Sequence, residues 1–246
     1  MSPALAAWGV HLYTGLGAAT GFFALVAIAQ GNYRHALFWM ALATFIDCTD
    51  GTLARRVRVK EVLPHFDGSK LDDIVDYLNY VVVPVALAYH AALIPGGVAG
   101  LALASLPLLA SGYGFCQTEA KTADHFFTGF PSYWNVVIFY FYVLATATWV
   151  NTLLLVSFSI LVFVPIRYLY PSRSPVARRT THTLGVLWGV CVVILLAQLP
   201  APSHALGWVS LFFPIYYFAL SLHLHFRPAP APSARWGEGS NTRRLM

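Results

Sequence analysis

Four aspartates form two pairs at helical spacing in and beside two neighbouring hydrophobic segments: Asp47 and Asp50, and Asp72 and Asp76. A charged side chain at the centre of a bilayer costs about 2.5–3.5 kcal/mol on insertion scales, so such residues are usually functional. Carboxylate oxygens are hard ligands that suit Mg²⁺ or Mn²⁺. Two such ions, about 3.5–4 Å apart, can clamp a phosphoryl group during its transfer. The spacing therefore predicts a divalent-metal site for phosphate chemistry.

Helical geometry places these carboxylates on two facing stripes. On the first helix, one face carries Asp47, Asp50, Gly51 and Ala54; on the second, one face carries Gly68, Asp72 and Asp76. The glycines leave room for a ligand or a second backbone. Arg55 follows the first stripe and could bind a phosphate with its planar guanidinium. Asp67 and Asp73 lie off the stripes, and we expect them to be solvated or to support the site from outside.

The composition excludes an ordinary soluble domain. The chain of 246 residues is 58% hydrophobic and 10% charged, whereas soluble domains carry about 25% charged residues. The first residues, 1–7, contain no Lys or Arg, so the first apolar segment is interpreted as a retained helix. The sequence predicts an all-α, polytopic membrane bundle of about eight transmembrane helices. The predicted spans are 9–30, 34–54, 74–95, 98–115, 132–150, 152–170, 183–200 and 206–226.

The membrane domain is predicted to cover residues 1–226. Residues 227–246 are rich in Pro, Ser, Gly and Arg and are predicted to be a disordered tail. Gly96-Gly97, Asn151 and the Pro200–Pro202 stretch are interpreted as tight turns between helices.

The distribution of basic residues predicts the orientation of the helices. Of the 15 Lys and Arg residues, 14 fall at the ends of the even-numbered predicted spans or in the segments after them, and Arg34 is the exception. By the positive-inside rule, both termini and the aspartates then face the cytoplasm. This basic face suits an anionic leaflet and phosphate-bearing substrates. Nucleic acid binding is not expected, because the sequence has no soluble basic domain.

The pattern D-x2-D-G-x2-A-R, followed after twelve residues by G-x3-D-x3-D, resembles the signature of the CDP-alcohol phosphotransferases. Thr14 and Gly17 resemble the small polar stretch that these enzymes carry in their first helix. The resemblance implies that the metal ligands are Asp47, Asp50, Asp72 and Asp76, with Asp76 also the catalytic base. It implies that the CDP moiety contacts Asp47, Asp50, Gly51, Ala54, Arg55, Gly68 and Asp72.

The spacer of twelve residues, from Arg56 to Asp67, is longer than in most members of that family. Together with the eight predicted helices, it resembles the bacterial branch that uses choline as acceptor. This resemblance implies that CDP-diacylglycerol and choline give phosphatidylcholine and CMP, with Mn²⁺ (or Mg²⁺) as the metal. It also implies a location in the bacterial inner membrane among membrane lipids. The sequence leaves open whether the chain acts as a monomer or a homodimer.

The choline site is predicted from the chemistry of the acceptor. A quaternary ammonium binds aromatic faces, each contributing about 0.5–2 kcal/mol, and is favoured by a nearby carboxylate. The segment 116–135 combines both kinds of side chain, although aromatic residues also anchor membrane interfaces. The predicted choline residues there are Glu119, Tyr133, Trp134 and Asn135, and further candidates are Tyr77, Tyr80 and Tyr113.

Two alternatives stay open at this stage. The same transfer could use serine, inositol phosphate or glycerol phosphate, for which a basic pocket is expected; the available residues are Lys70, Arg167, Arg173, Arg178 and Arg179. A cation-coupled transporter could use the aspartates as an ion site. Such a transporter tends to have broken helices or repeated halves, and neither is apparent in the sequence.

Overall fold

The computed structural model describes residues 2–118, 122, 124, 126–171, 174 and 176–226. The predicted tail, 227–246, and the predicted choline residue Glu119 lie outside the described residues. The described part is predominantly helical, as predicted. Its helices are α1 (Pro3–Ala29), α2 (Tyr33–Val57), α3 (Val59–Val62), α4 (Gly68–Asp76), a π-helix (Tyr77–Val82), α5 (Val83–His90), α6 (Gly97–Cys116), α7 (Trp134–Val143), α8 (Thr148–Leu161), α9 (Arg178–Ala197), α10 (His204–Ser210) and α11 (Phe212–His225).

A helix occurs at each of the eight predicted spans. By length and composition, four helical stretches of the described chain are long and apolar enough to cross a membrane: Pro3–Ala29, Gly97–Cys116, Arg178–Ala197 and His204–His225. Two others, α7 and α8, are apolar but have only 10 and 14 residues. At 1.5 Å per residue they are about 15 and 21 Å long, shorter than the roughly 30 Å of a bilayer core.

Some predicted boundaries were wrong in this short-helix region. Asn151 is not a turn residue but lies inside α8 and is completely buried. Its side chain donates to the carbonyl of Leu93 at 2.8 Å and accepts from the Thr146 hydroxyl at 2.5 Å, so it holds the turn that precedes the helix. The helix of the sixth span also ends early, at Leu161, and residues 167–169 of that span pair in a small sheet.

Helix α1 packs through a stripe of small residues. Its buried positions recur every three or four residues and include Ala7, Gly17, Gly21, Ala24 and Ala27. These short side chains let α2, α4 and the π-helix approach the α1 backbone closely. A methyl group on Gly17 would lie 2.5 Å from Val75 Cγ1, and one on Gly21 would lie 2.8 Å from Asn79 Oδ1.

The third predicted span is a composite helix, formed by α4, the π-helix and α5 without interruption. Asp67 caps its start by accepting from the Ser69 and Lys70 backbone N–H groups at 3.1 Å. The π-turn ends just before Pro84, which has no N–H to donate to the preceding turn. A widened turn is a recognised way for a helix to accommodate such a break.

Two short strands, β1 (Phe126–Thr128) and β2 (Arg167–Leu169), form an antiparallel pair that the sequence did not predict. The backbone of Leu169 is fixed to α11, since its N–H donates to the Ser221 hydroxyl at 3.0 Å and its carbonyl accepts from the Tyr217 hydroxyl at 3.1 Å. The pair therefore ties the segment before α7 to α11.

The close packing of α1 gives a first prediction. We expect Gly17→Ala to lower stability by about 1–3 kcal/mol, because the added methyl overpacks a tight contact with a stiff β-branched side chain. The change is measured as a fall in the thermal unfolding midpoint of the detergent-purified protein. The matched control is Gly9→Ala on the same helix, where a methyl group would meet nothing within 4 Å. Equal midpoints for the two variants would contradict the packing argument.

Candidate active site

Three of the four predicted aspartates meet at one point between α2 and α4. Asp47, Asp50 and Asp72 each offer a carboxylate oxygen, and these oxygens all lie within 4.8 Å of one another. Asp50 is buried, and Asp47 and Asp72 are half-buried. Three carboxylates this close repel one another strongly unless a cation lies between them. Their hard oxygen donors fit Mg²⁺ or Mn²⁺, in agreement with the predicted divalent-metal site.

Each of the two carboxylates on α2 accepts a hydrogen bond from a neighbouring helix. The Thr14 hydroxyl of α1 donates to Asp50 Oδ2 at 2.7 Å, and the Tyr80 hydroxyl of the π-helix donates to Asp47 Oδ2 at 2.6 Å. Such bonds restrict the rotation of a carboxylate and orient it towards a metal. Thr14, which the sequence predicts to belong to a small polar stretch of the first helix, thus contacts the acidic cluster directly.

The fourth aspartate, Asp76, lies one helical turn beyond Asp72 on α4. It lines a cavity of about 240 Å³ together with Asp47, Asp72 and Asp73. Asp73, which the stripe analysis placed outside the site, therefore also faces this cavity. The acidic wall thus contains three of the four predicted aspartates and one further carboxylate.

Six aromatic rings also line the cavity. They come from distant parts of the chain: Tyr80, Phe115, Phe127, Phe130, Tyr133 and Tyr170. The rings of Phe127 and Tyr170 lie 4.6 Å apart between centroids, and those of Tyr80 and Tyr133 lie 6.3 Å apart. A cavity lined by both carboxylates and aromatic faces is well suited to an organic cation.

An ion pair fixes the small sheet at this cavity. Arg167 of β2 pairs with Asp124, and its guanidinium lies 4.2 Å from the centre of the Phe126 ring. The Thr122 hydroxyl donates to Asp124 Oδ1 at 2.6 Å. That hydrogen bond, helped by Arg167, holds the pKa of the Asp124 carboxyl below its usual range. The guanidinium is thus held at Asp124, and Arg167 does not line the cavity.

The remaining motif residues flank the aspartates. Gly51 faces open space, since an added methyl would meet only Arg55 Nη1, at 3.4 Å. Ala54 packs beside a small apolar cluster at the start of α1, and Arg55 is exposed and donates to the Thr52 hydroxyl at 3.0 Å. Gly68 lies against His11, whose Cε1 would be 2.5 Å from an added methyl. The glycine at this position is therefore required for the approach of α1.

The structure separates the predicted choline residues. Tyr133 lines the cavity, whereas Trp134 is completely buried in the core and donates to the Ser111 hydroxyl at 2.8 Å. Asn135 is also buried and donates to the Thr44 hydroxyl at 3.1 Å. Neither Trp134 nor Asn135 belongs to the cavity lining. Their side chains are used in packing between helices.

Of the further tyrosine candidates for the choline site, one lies in the cavity and two lie outside it. Tyr80 lines the cavity, while Tyr77 donates to the Leu108 carbonyl at 2.9 Å and Tyr113 is exposed beside Phe163. Tyr170 was missed by the sequence analysis, because the β1–β2 pairing that brings it to Phe127 leaves no clear signal in the sequence. Phe127 and Phe130 lie in a segment that was already noted for its aromatic content.

Comparison with characterised proteins identifies the family. No family model matches the chain. Phosphatidylcholine synthase of Legionella pneumophila is 43% identical over 228 residues, which cover 90% of this chain and 88% of the relative. The synthase of Legionella bozemanae is 38% identical over 218 residues (86% of this chain and all of the relative), and that of Pseudomonas aeruginosa is 38% identical over 195 residues (79% and 82%). The chain belongs to the phosphatidylcholine synthase family. This membership confirms the relationship that the aspartate pattern indicated, and it argues against the transporter alternative.

The hydroxyl groups of Thr14 and Tyr80, which donate to the aspartate cluster, give a second prediction. We expect Thr14→Val to weaken Mn²⁺ binding by about tenfold, because Asp50 loses the bond that orients it. The affinity is measured by electron paramagnetic resonance of free Mn²⁺ in titrations of purified protein. Thr20→Val is the matched control: Thr20 is also buried on α1, but its hydroxyl donates to the Gly17 carbonyl of the same helix. The orienting role would be disproved by equal affinities in the two variants.

Proposed function

We propose that the chain transfers the phosphatidyl group of CDP-diacylglycerol to the hydroxyl of choline, giving phosphatidylcholine and CMP. The observation that supports this most directly is the single cavity that joins the aspartate cluster to an aromatic wall. The first feature suits a pyrophosphate with its metal, and the second suits a quaternary ammonium. The relatives named phosphatidylcholine synthase point to the same reaction.

The proposed metal is Mn²⁺ or Mg²⁺, held by Asp47, Asp50 and Asp72, with Asp76 completing a site for two ions. When bound, such ions neutralise charge on the pyrophosphate and make CMP a better leaving group. The carboxylates hold this charge at the cavity, and Thr14 and Tyr80 fix two of them. Gly51, Ala54, Gly68 and Arg55 flank the cluster, and we assign them to the CDP moiety.

The reaction needs one proton to be removed from the acceptor. Asp76 lines the cavity one turn from Asp72, and we assign it as the base that accepts the proton of the choline hydroxyl. The choline oxygen then attacks the phosphorus attached to diacylglycerol, and the bond from this phosphorus to CMP breaks. Because the protein itself forms no covalent bond in this reaction, positioning and electrostatics account for most of the rate enhancement.

The lining of the cavity favours choline over the alternative acceptors. Four carboxylates face the cavity, and none of its lining residues in the described part of the chain is Lys, Arg or His. Among the described lining residues, an acceptor with a phosphate or carboxylate group would meet these four carboxylates and no basic side chain. Arg167, one of the basic candidates from the sequence, is bound to Asp124. Tyr133, Phe127 and Tyr170 provide the faces for the ammonium.

The arrangement in the membrane is part of the proposal. We propose that the chain crosses a bacterial inner membrane eight times, in the orientation that the basic residues indicate. Both termini and the active site then lie on the cytoplasmic side. Fourteen of the fifteen Lys and Arg residues support this orientation. The acyl chains of the lipid substrate then stay in the bilayer while its headgroup enters the cavity.

The function is tested by CMP release from purified, detergent-solubilised protein. CDP-diacylglycerol and Mn²⁺ are supplied with choline, serine, inositol phosphate, glycerol 3-phosphate or no acceptor. We expect CMP and a new phospholipid with choline only. Release with another alcohol instead would keep the transfer but overturn the acceptor. No release with any acceptor, from folded protein that binds Mn²⁺, would overturn the proposed reaction.

The base assignment gives a prediction of its own. We expect Asp76→Asn to lower kcat by about 10²- to 10⁴-fold, the usual contribution of a general base, with an unchanged thermal midpoint. Glu61→Gln is the control, because it removes a carboxylate that is exposed and pairs only weakly, at 3.9 Å, with Arg58. Turnover near that of the unmodified protein in Asp76→Asn would rule out Asp76 as the base.

A further inference from the structure

Tyr80 contacts both halves of the cavity. Its hydroxyl donates to Asp47 Oδ2 at 2.6 Å, so it bonds a carboxylate of the predicted metal cluster. Its ring lines the cavity and lies 6.3 Å from the ring of Tyr133, with the two planes tilted by 52°. Tyr80 is therefore both an aromatic lining residue and a hydrogen-bond donor to an aspartate of the cluster.

The position of Tyr80 depends on the π-turn. Tyr80 follows Asp76 by four residues and lies within the π-helix Tyr77–Val82. A π-turn contains more residues than an α-turn, so it changes the direction in which the side chains after Asp76 project. The N–H of Val83 donates to the Leu78 carbonyl, five residues earlier, and Pro84 follows. Such single π-turns occur frequently at functional sites.

The hydroxyl bond constrains Asp47 without using up its ligand capacity. An ionised carboxylate has two oxygens and about four acceptor positions, of which Tyr80 occupies one. The bond limits rotation of the carboxylate while one of its oxygens lies within 4.8 Å of those offered by Asp50 and Asp72. Thr14, from α1, has the same relation to Asp50.

We propose that Tyr80 is a positioning residue that connects the metal cluster to the acceptor wall. Its hydroxyl holds Asp47 in the orientation that faces Asp50 and Asp72. Its ring forms the part of the choline wall that lies beside the aspartates. This inference rests on the proposed function, which supplies the metal and the acceptor, but it assigns Tyr80 a role that the aspartate pattern does not contain.

The two parts of the side chain can be removed separately. Tyr80→Phe keeps the ring and removes the hydroxyl, so we expect Mn²⁺ affinity to fall about tenfold with less than a twofold change in the KM for choline. Tyr80→Leu removes both, so the KM for choline should rise as well. Tyr133→Phe is the matched control, since Tyr133 lines the same cavity and donates no observed bond to Asp47. It should leave Mn²⁺ affinity unchanged.

The experiment measures Mn²⁺ binding to the full-length purified protein by electron paramagnetic resonance, with no substrate present. CMP release is then assayed over a range of choline concentrations with saturating Mn²⁺. A second measurement is the rise in the thermal unfolding midpoint when Mn²⁺ is added. This rise reports metal affinity even in a variant of lower stability. That rise should shrink in Tyr80→Phe and persist in Tyr133→Phe.

Either of two results would overturn the proposal: unchanged Mn²⁺ affinity in Tyr80→Phe, or equal losses in Tyr80→Phe and Tyr133→Phe. A failure of the proposed function is distinguishable from both. In that case the unmodified protein itself would bind no Mn²⁺ or would release no CMP with choline, before any variant is compared.

Discussion

The repulsion between clustered carboxylates is the constraint on which the site depends. Three aspartate oxygens lie within 4.8 Å of one another in a helical bundle whose surroundings are largely apolar. Without compensation, such a cluster would take up protons or push the helices apart. Two hydroxyl groups from other helical segments, those of Thr14 and Tyr80, donate hydrogen bonds to two of the carboxylates. The proposed cations would neutralise the negative charge of the cluster. The ligand site and the stability of the bundle are therefore coupled.

The need to stabilise the clustered carboxylates also requires α1 to lie close to α2 and α4. Thr14 can reach Asp50 only if the α1 backbone lies near α2 and α4, and small residues at Gly17 and Gly21 allow this. Gly68 serves the same end one turn before Asp72, where His11 occupies the space that a side chain would need. The glycine of the family pattern thus has a packing role in this chain beside the role that we assign to it near the CDP moiety.

The aromatic lining of the cavity is built by different means. Its aromatic rings come from the composite third helix, from α6 and from the segments around β1 and β2. The small sheet is fixed by the Arg167–Asp124 pair at one end and by bonds from Leu169 to α11 at the other. Under the proposed function, one bundle combines a fixed phosphate site with a separately built acceptor wall. Changes in the segment around β1 would then alter the acceptor while leaving the aspartates in place.

The sequence by itself determined the class of the protein and the residues of its aspartate cluster. Hydrophobic composition required a membrane bundle, and the spacing of Asp47, Asp50 and Asp72 required one face on each of two helices, because helical periodicity is local. The tertiary structure decided what spacing could not. It placed Trp134 in the core and Tyr170 in the cavity, brought Tyr80 to Asp47, and shortened α7 and α8. Each of these depends on contacts between residues far apart in the chain, on the β1–β2 pairing or on the π-turn before Pro84, and none of them is encoded in a local periodicity.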